Sequence, residues 1–191
     1  MKNLFFLLAM AVAIPGPSLA ANDEVVKPLK TVIASVRYGR DLAALKYFAT
    51  AEQGRLLLGD DWAKGTEVQK KEFVDRFDIL FAKIAFPKVR QDFEHLETVL
   101  YDQPKVTGDT AEVGSTIVIL HPLKKQEIKL KYQMLKDKGA WKVVDVKMLG
   151  DSMLQGIRED QIAPILKQGG WNKLLELMRV KEKELSNIPL K

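Results

Sequence analysis

The chain has 191 residues, of which 47% are hydrophobic and 29% are charged, and it carries a formal net charge of +5. This composition predicts one soluble domain with a substantial core and excludes a repeat array or a disordered chain. The 25 acidic residues interspersed among 30 basic ones argue against a nucleic-acid-binding protein, and the absence of cysteine excludes disulfides, thiolate metal ligands and an acylated N-terminal cysteine.

The N-terminus has the pattern of a cleavable signal peptide. Lys2 supplies a positive charge, an uncharged run extends from Leu4 to Ile14, and Ser18-Leu19-Ala20 supplies the small residues that signal peptidase requires. The uncharged run is too short to span a bilayer. We therefore predict a signal peptide over residues 1–20, cleavage after Ala20 and a bacterial periplasmic location. Cleavage after Ala21 is the alternative.

The mature chain, residues 21–191, begins with predicted helices. The first has an apolar stripe at helical spacing and ends at Tyr38-Gly39. This stripe consists of Val25, Leu29, Val32, Ile33 and Val36. A second, shorter helix is predicted over residues 41–48.

Two further helices are predicted from capping-box spacing, in which a threonine is followed three residues later by glutamine. Thr50 with Gln53 begins the third helix, and Thr66 with Gln69 begins the longest one. The apolar stripe of the longest helix consists of Phe73, Phe77, Leu80, Phe81 and Ile84. Because proline lacks an N–H group, Pro87 is predicted to end this helix.

From about Glu97 the hydrophobic period changes to two, which is typical of strands. Four strands are predicted at residues 98–101, 110–120, 126–136 and 140–148. Short turns between them favour an antiparallel meander. The third strand alternates most clearly, with Ile128, Leu130, Tyr132 and Met134 on one face.

Two helical segments, over residues 152–167 and 171–185, complete the chain, separated by Gly169-Gly170. The order of elements predicts a single α+β domain. It comprises N-terminal helices, a curved four-stranded antiparallel sheet and C-terminal helices that enclose an apolar pocket.

Few residues suggest catalysis. Only two histidines are present, His95 and His121, and neither has a partner at metal-ligand spacing. Asp145 lies in an apolar strand and is a candidate general base, but pairing with Lys147 or binding of backbone amides is the favoured interpretation. Asp151 or Ser152 is expected to cap the helix that follows. We predict no catalytic residue, no metal and no cofactor.

Four collinear motifs carry a family resemblance. They are LGDDW at 58–62 followed by Gln69, Phe73 and Phe77; VTGDTAEV at 106–113; WKVVDV at 141–146 with Gly150, Ser152 and Arg158; and GGWNKLL at 169–175. In this order they resemble the MlaC family, also called the toluene-tolerance family, of periplasmic phospholipid-binding transport proteins. The motifs span nearly the whole mature chain.

The resemblance implies a soluble carrier that holds phospholipid acyl chains in an apolar cavity. It also implies two partners, an outer-membrane lipoprotein complex and an inner-membrane MCE-type ABC transporter complex. We predict that the cavity is lined by Phe73, Phe77, Phe81, Ile117, Ile119, Ile128, Leu130, Tyr132 and Met134. A shift of one residue in the second strand would replace Ile117 and Ile119 with Val118 and Leu120. Arg158 is a candidate headgroup contact, and a structural salt bridge is its alternative role.

Three other functions fit the same sequence. In the first, the protein is a carrier of a different apolar molecule, such as a hopanoid. The second is an enzyme that uses the cavity with Asp145 as base. The third is an envelope adaptor that binds no cargo.

Overall fold

The computed structural model describes residues 19–191, and nearly all of the predicted signal peptide lies outside this range. The N-terminal half is helical, as predicted. Its helices are α1 (Leu19–Arg37), α2 (Asp41–Leu45), α3 (Thr50–Leu58), α4 (Asp61–Lys64) and α5 (Glu67–Asp92), and a 3₁₀ turn (Phe93–His95) follows. The short helix α2 ends three residues before its predicted end.

An antiparallel sheet follows, and helices end the chain. The strands are β1 (Leu96–Tyr101), β2 (Lys105–Thr107), β3 (Thr110–His121), β4 (Lys124–Asp137), β5 (Ala140–Met148) and β6 (Asp151–Ser152). The last helical elements are α6 (Met153–Ile157), a π-helical segment (Arg158–Ile162) and α7 (Ala163–Glu184). Non-helical backbone angles at Gly169 and Gly170 divide α7, where φ is +60° at Gly170.

The two predicted capping boxes have different outcomes. At Thr66 the box is confirmed, because the Gln69 N–H donates to the Thr66 hydroxyl at 3.2 Å and the Thr66 N–H donates to the Gln69 side chain at 3.0 Å. At Thr50 the helix begins as predicted, but no capping box forms. The Thr50 hydroxyl donates to Asp78 at 2.7 Å, and the Gln53 amide donates to the Val144 carbonyl at 2.9 Å. Both side chains are buried and serve tertiary contacts instead of the helix terminus.

The predicted end of the longest helix at Pro87 is also wrong, because α5 continues to Asp92. A proline inside a helix costs about 3 kcal/mol. Phe86, directly before the proline, and Phe93, which follows the last residue of α5, are 3% and 7% exposed. Burial of two such side chains contributes about 1.5–3 kcal/mol each, which offsets that cost.

The sheet confirms the four predicted strands and adds two short ones. Its order is β1-β3-β4-β5-β6, and all neighbouring strands are antiparallel. Strand β2 pairs with the N-terminal end of β3. A β-bulge opposite Gln133 and Met134 leaves Val144 of β5 without a pairing partner, which bends β5 and contributes to the curvature of the sheet. The two added strands contain three and two residues, too few for an alternating pattern to be recognised.

The register between β3 and β4 pairs Ile117 with Ile128. Ile117 and Ile119 pack in one cluster with Phe93 and Leu96. The side chain of Leu120 is 43% exposed. Val118 is buried as well, but only Ile117 and Ile119 pack in the cluster that includes Ile128 and Leu130 of β4.

The core has two main parts, and this division positions the candidate site. In the first part, α1 packs its apolar stripe onto the concave side of the sheet, including Val113, Tyr132 and Met134. The second part lies among α3, α5, α6 and α7 and contains no buried strand residue. Phe81 of α5 packs against both parts.

Candidate functional site

A cavity of about 620 Å³ lies between α5, the α6 and π-helical segment, and α7. Its volume falls within the ~300–1,000 Å³ that is typical of small-molecule sites. Thirteen of its lining side chains are apolar: Phe77, Leu80, Phe81, Ile84, Ala85, Met153, Ile157, Ile162, Ile165, Leu174, Leu177, Met178 and Val180. The remaining three are Gln161, Lys181 and Glu184.

Helix α5 supplies one wall through its aromatic stripe. Phe73, Phe77 and Phe81 are spaced four residues apart, which places them on one face of the helix. Their rings stack in sequence, with centroids 5.7 Å apart between the first pair and 5.9 Å apart between the second. Phe77 and Phe81 line the cavity, whereas Phe73 is fully buried behind Phe77.

The opposite wall is formed around the π-helical segment. Ile157 precedes this segment, Ile162 ends it, and Ile165 follows in the first turns of α7. All three line the cavity. Such widened helical turns occur frequently at functional sites, because they change the direction in which neighbouring side chains point.

The cavity has a buried end and an open side. Leu174 is 0% exposed, and Phe77 is 8% exposed. By contrast, Ile84 is 56% exposed and Met153 is 47% exposed. The three polar lining residues are all exposed, so an apolar ligand is able to enter from solvent while its polar end stays at the surface.

An ionic network holds α5 against α7 beside this cavity. Glu72 of α5 accepts two hydrogen bonds from Arg179 of α7, at 2.7 and 2.8 Å, and one from Arg76 at 2.8 Å. Arg76 also donates to Glu182. The guanidinium groups of Arg179 and Arg76 lower the pKa of Glu72 to about 2. The network therefore links two walls of the cavity.

The junction between β5 and α6 positions the third wall. Gly150 has φ +98° and provides the sharp exit from β5. Ser152, one of the two predicted caps, accepts a hydrogen bond from the Gln155 N–H at 3.0 Å. Asp145 is 4% exposed and accepts hydrogen bonds from the N–H groups of Val146 and Leu154. The structure thus gives Asp145 the backbone-binding role that the sequence analysis favoured.

Arg158 lies at the surface over the end of α3. Its guanidinium donates to the Leu56 carbonyl at 3.5 Å and covers Gly59 so closely that a Cβ at that glycine would overlap it. Arg158 is not among the residues that line the cavity, although its neighbour Ile157 is. Its predicted contact with a headgroup stays a prediction.

The structure divides the nine predicted lining residues between separate regions. Phe77 and Phe81 line the cavity, and Phe73 supports it. Ile117, Ile119, Ile128 and Leu130 pack with the 3₁₀ turn, and Tyr132 and Met134 pack against α1. None of these six strand residues lines the cavity between the helices. The reason is that α1 and the 3₁₀ turn already cover the concave side of the sheet.

The sequence analysis did not identify the C-terminal residues that line the cavity. Part of their signal was present in the spacing of Ile162 and Ile165, and of Leu174 and Met178, which places each pair on one helix face. Ile157 is five residues before Ile162, and only the π-helical segment between them brings both to the cavity. The spacing of each pair also describes an ordinary core helix. Only the tertiary arrangement distinguishes a cavity wall from a filled core.

Within residues 19–191, no helix combines the length and hydrophobicity that a membrane span needs. In the same part of the chain, no three His, Cys, Asp or Glu side chains are grouped closely enough to hold a metal ion.

The fold and the cavity define an α+β protein with an apolar pocket between its helices. The family model described as MlaC protein matches residues 37–180, and the chain belongs to the MlaC family. No curated protein matches the chain significantly.

Comparison with solved structures gives a matching fold. The chain is similar to a phospholipid-binding protein from Ralstonia solanacearum, solved in complex with a phospholipid. The identity is 19%, the TM-score is 0.69, and the alignment covers 87% of this chain and 99% of that chain. A protein designated Rd1NTF2_05, in a substituted form, aligns with 66% of this chain and 96% of its own at 12% identity. Its TM-score of 0.42 is too low to support a conclusion.

Proposed function

We propose that this protein is a periplasmic lipid carrier that holds phospholipid acyl chains in the cavity between α5, α6 and α7. The observation that carries this proposal is the cavity itself, which is lined by thirteen apolar side chains and is open along an exposed side. Membership of the MlaC family supports it. The shared fold with the phospholipid-binding protein from Ralstonia solanacearum supports it further.

The energetics of lipid transfer explain why such a cavity is required. Exposing a sixteen-carbon acyl chain to water costs about 13 kcal/mol, at about 0.8 kcal/mol per methylene. Free diffusion of a phospholipid through water is therefore negligible. A carrier needs an apolar site close in free energy to the bilayer interior, because tighter binding would prevent delivery.

The cavity volume sets how much lipid fits. At about 30 Å³ of liquid volume for a water-sized group, 620 Å³ accommodates about twenty methylene-sized groups. This is enough for one acyl chain of ordinary length. We propose that a second chain inserts between Phe81 and the sheet, against Leu130 and Ile128, by displacing Phe81 from its packing against both parts of the core.

The proposed route of transport follows the family. The carrier collects or delivers phospholipid at an outer-membrane lipoprotein complex and at an inner-membrane MCE-type ABC transporter complex. The signal-peptide pattern over residues 1–20 supports export to the compartment between these membranes.

Lipid extraction from the purified protein tests the proposal. Mass spectrometry of the extract is expected to identify intact phospholipid, whereas a hopanoid would identify a different apolar cargo. Consistent absence of any lipid would overturn the carrier function and support the adaptor alternative.

A matched pair of variants tests the location of the acyl chains. Ile165 lines the cavity and Ile128 lies on the sheet, and both side chains are half-buried. Ile165→Trp is expected to reduce binding of single-chain lysophospholipid and of diacyl phospholipid. Ile128→Trp is expected to reduce binding of diacyl phospholipid only. Circular dichroism establishes that both variants are folded, and loss of lysophospholipid only in Ile128→Trp would place the first chain on the sheet instead.

A further inference from the structure

The polar residues that line the cavity are grouped on its open side. Lys181 and Glu184 form an ion pair, with 2.9 Å between the Lys181 Nζ and a Glu184 carboxylate oxygen. Their side chains are 51% and 56% exposed. One cation and one anion therefore stand side by side where the polar end of an acyl-chain ligand would emerge.

Folding stability does not explain this pair. Exposed ion pairs contribute about 0–1 kcal/mol, and on helices the order in which lysine precedes glutamate is the less favourable one. Glu184 is also the last residue of α7, where the helix dipole disfavours a negative charge. Two nearby charged side chains have other partners, since Glu182 is bound to Arg76 and Lys83 donates to the Leu185 carbonyl.

We propose that Lys181 and Glu184 recognise a zwitterionic phospholipid headgroup, with Lys181 bound to the phosphate and Glu184 bound to a primary ammonium. This inference rests on the proposed carrier function. Side chains three residues apart on a helix are separated by about 5–6 Å at Cβ, a reach comparable with the two-carbon linker of an ethanolamine headgroup. When a headgroup binds, its phosphate replaces Glu184 as the partner of Lys181, and its ammonium replaces Lys181 as the partner of Glu184. Breaking the ion pair therefore costs little free energy.

The consequence is discrimination between headgroups. An anionic headgroup such as phosphatidylglycerol satisfies Lys181 but leaves Glu184 beside a second negative charge. A phosphatidylethanolamine headgroup satisfies both. Because both side chains are half-exposed, the preference is expected to be about two- to fivefold, the range that exposed charge pairs support.

The experiment measures this preference directly. The purified mature protein is equilibrated with vesicles containing equal amounts of phosphatidylethanolamine and phosphatidylglycerol with identical acyl chains, and the bound lipids are quantified by mass spectrometry. The wild-type protein is expected to retain about two- to fivefold more phosphatidylethanolamine. Glu184→Gln is expected to bring the ratio close to one, whereas Lys181→Gln is expected to lower retention of both lipids.

A second ion pair on the same helix provides the control. Lys173 and Glu176 have the same three-residue spacing and a separation of 3.1 Å, but neither residue lines the cavity. Glu176→Gln is expected to leave the ratio at the wild-type value. An equal change in Glu176→Gln, or a wild-type ratio of one, would overturn the headgroup assignment alone. Wild-type protein that retains no lipid would overturn the carrier function as well.

Discussion

Asp145 and Leu154 are joined by a hydrogen bond across the junction of β5 and α6. The Leu154 N–H donates to the Asp145 carboxylate at 3.2 Å, and the same oxygen accepts the N–H of Val146 at 2.8 Å. Leu154 is 6% exposed and packs in the helical part of the core. One buried carboxylate therefore connects the last long strand to a wall of the cavity.

Removal of this carboxylate is expected to destabilise the fold. Asp145→Ala leaves the Leu154 N–H without its acceptor, and hydrogen bonds to charged groups contribute about 1.5–3 kcal/mol. The free energy of unfolding, measured with urea, is expected to fall by about that amount. Asp145→Asn is expected to cost less, because the amide oxygen still accepts a hydrogen bond.

The asparagine variant also tests the enzyme alternative. If Asp145 serves only the backbone, Asp145→Asn retains lipid at the wild-type level. Turnover of a substrate by the wild-type protein that disappears in Asp145→Asn would instead support a catalytic role.

Asp78 is expected to make stability depend on pH. Burial raises the pKa of Asp78 to about 6, and the hydrogen bond from Thr50 opposes this rise. The folded state therefore binds a proton more tightly than the unfolded state, and the free energy of unfolding falls as pH rises from about 4 to about 6. Asp78→Asn is expected to remove this decrease and to stabilise the protein at pH 7 by about 1–2 kcal/mol, since partial exposure weakens the effect.

Urea unfolding at several pH values measures this difference. Asp92 lies on the same helix and is exposed, so Asp92→Asn serves as the control. Equal pH profiles for the wild-type protein and Asp78→Asn would contradict the prediction.

Gly59 and Arg158 are expected to be energetically coupled. Gly59 has φ +55° and ψ −129°, a conformation that disfavours side chains, and a Cβ there would overlap the Arg158 guanidinium. Gly59→Ala is expected to lower the free energy of unfolding by about 1–3 kcal/mol. Arg158→Ala is expected to recover part of this loss, because it relieves the overlap but leaves the backbone strain.

A nearby glycine provides the comparison for this double-mutant cycle. A Cβ at Gly156 in α6 would meet no neighbouring atom within 4 Å, and its φ is not positive. Gly156→Ala is therefore expected to stabilise the protein by about 0.4–1 kcal/mol. Additive effects of Gly59→Ala and Arg158→Ala would show that the two residues are independent.

Local sequence patterns predicted elements well where local interactions decide the structure. The capping box at Thr66 is an example, because its donors and acceptors lie within four residues of one another. The same pattern at Thr50 predicted the start of α3 correctly but formed no capping box, since both side chains bind distant groups, Asp78 and the Val144 carbonyl. Pro87 failed as a helix end because burial of Phe86 and Phe93 offsets the local penalty of a proline inside the helix.

The sequence by itself determined the family resemblance, the α+β class and the four main strands. Motif order and hydrophobic periodicity depend only on the order of residues along the chain. It also identified Phe77 and Phe81 as candidate lining residues. Only the tertiary structure decided that α1 covers the concave side of the sheet and that the cavity lies among α5, α6 and α7. Periodicity gives the apolar face of each element, but which face packs and which borders a cavity depends on contacts between residues distant in sequence.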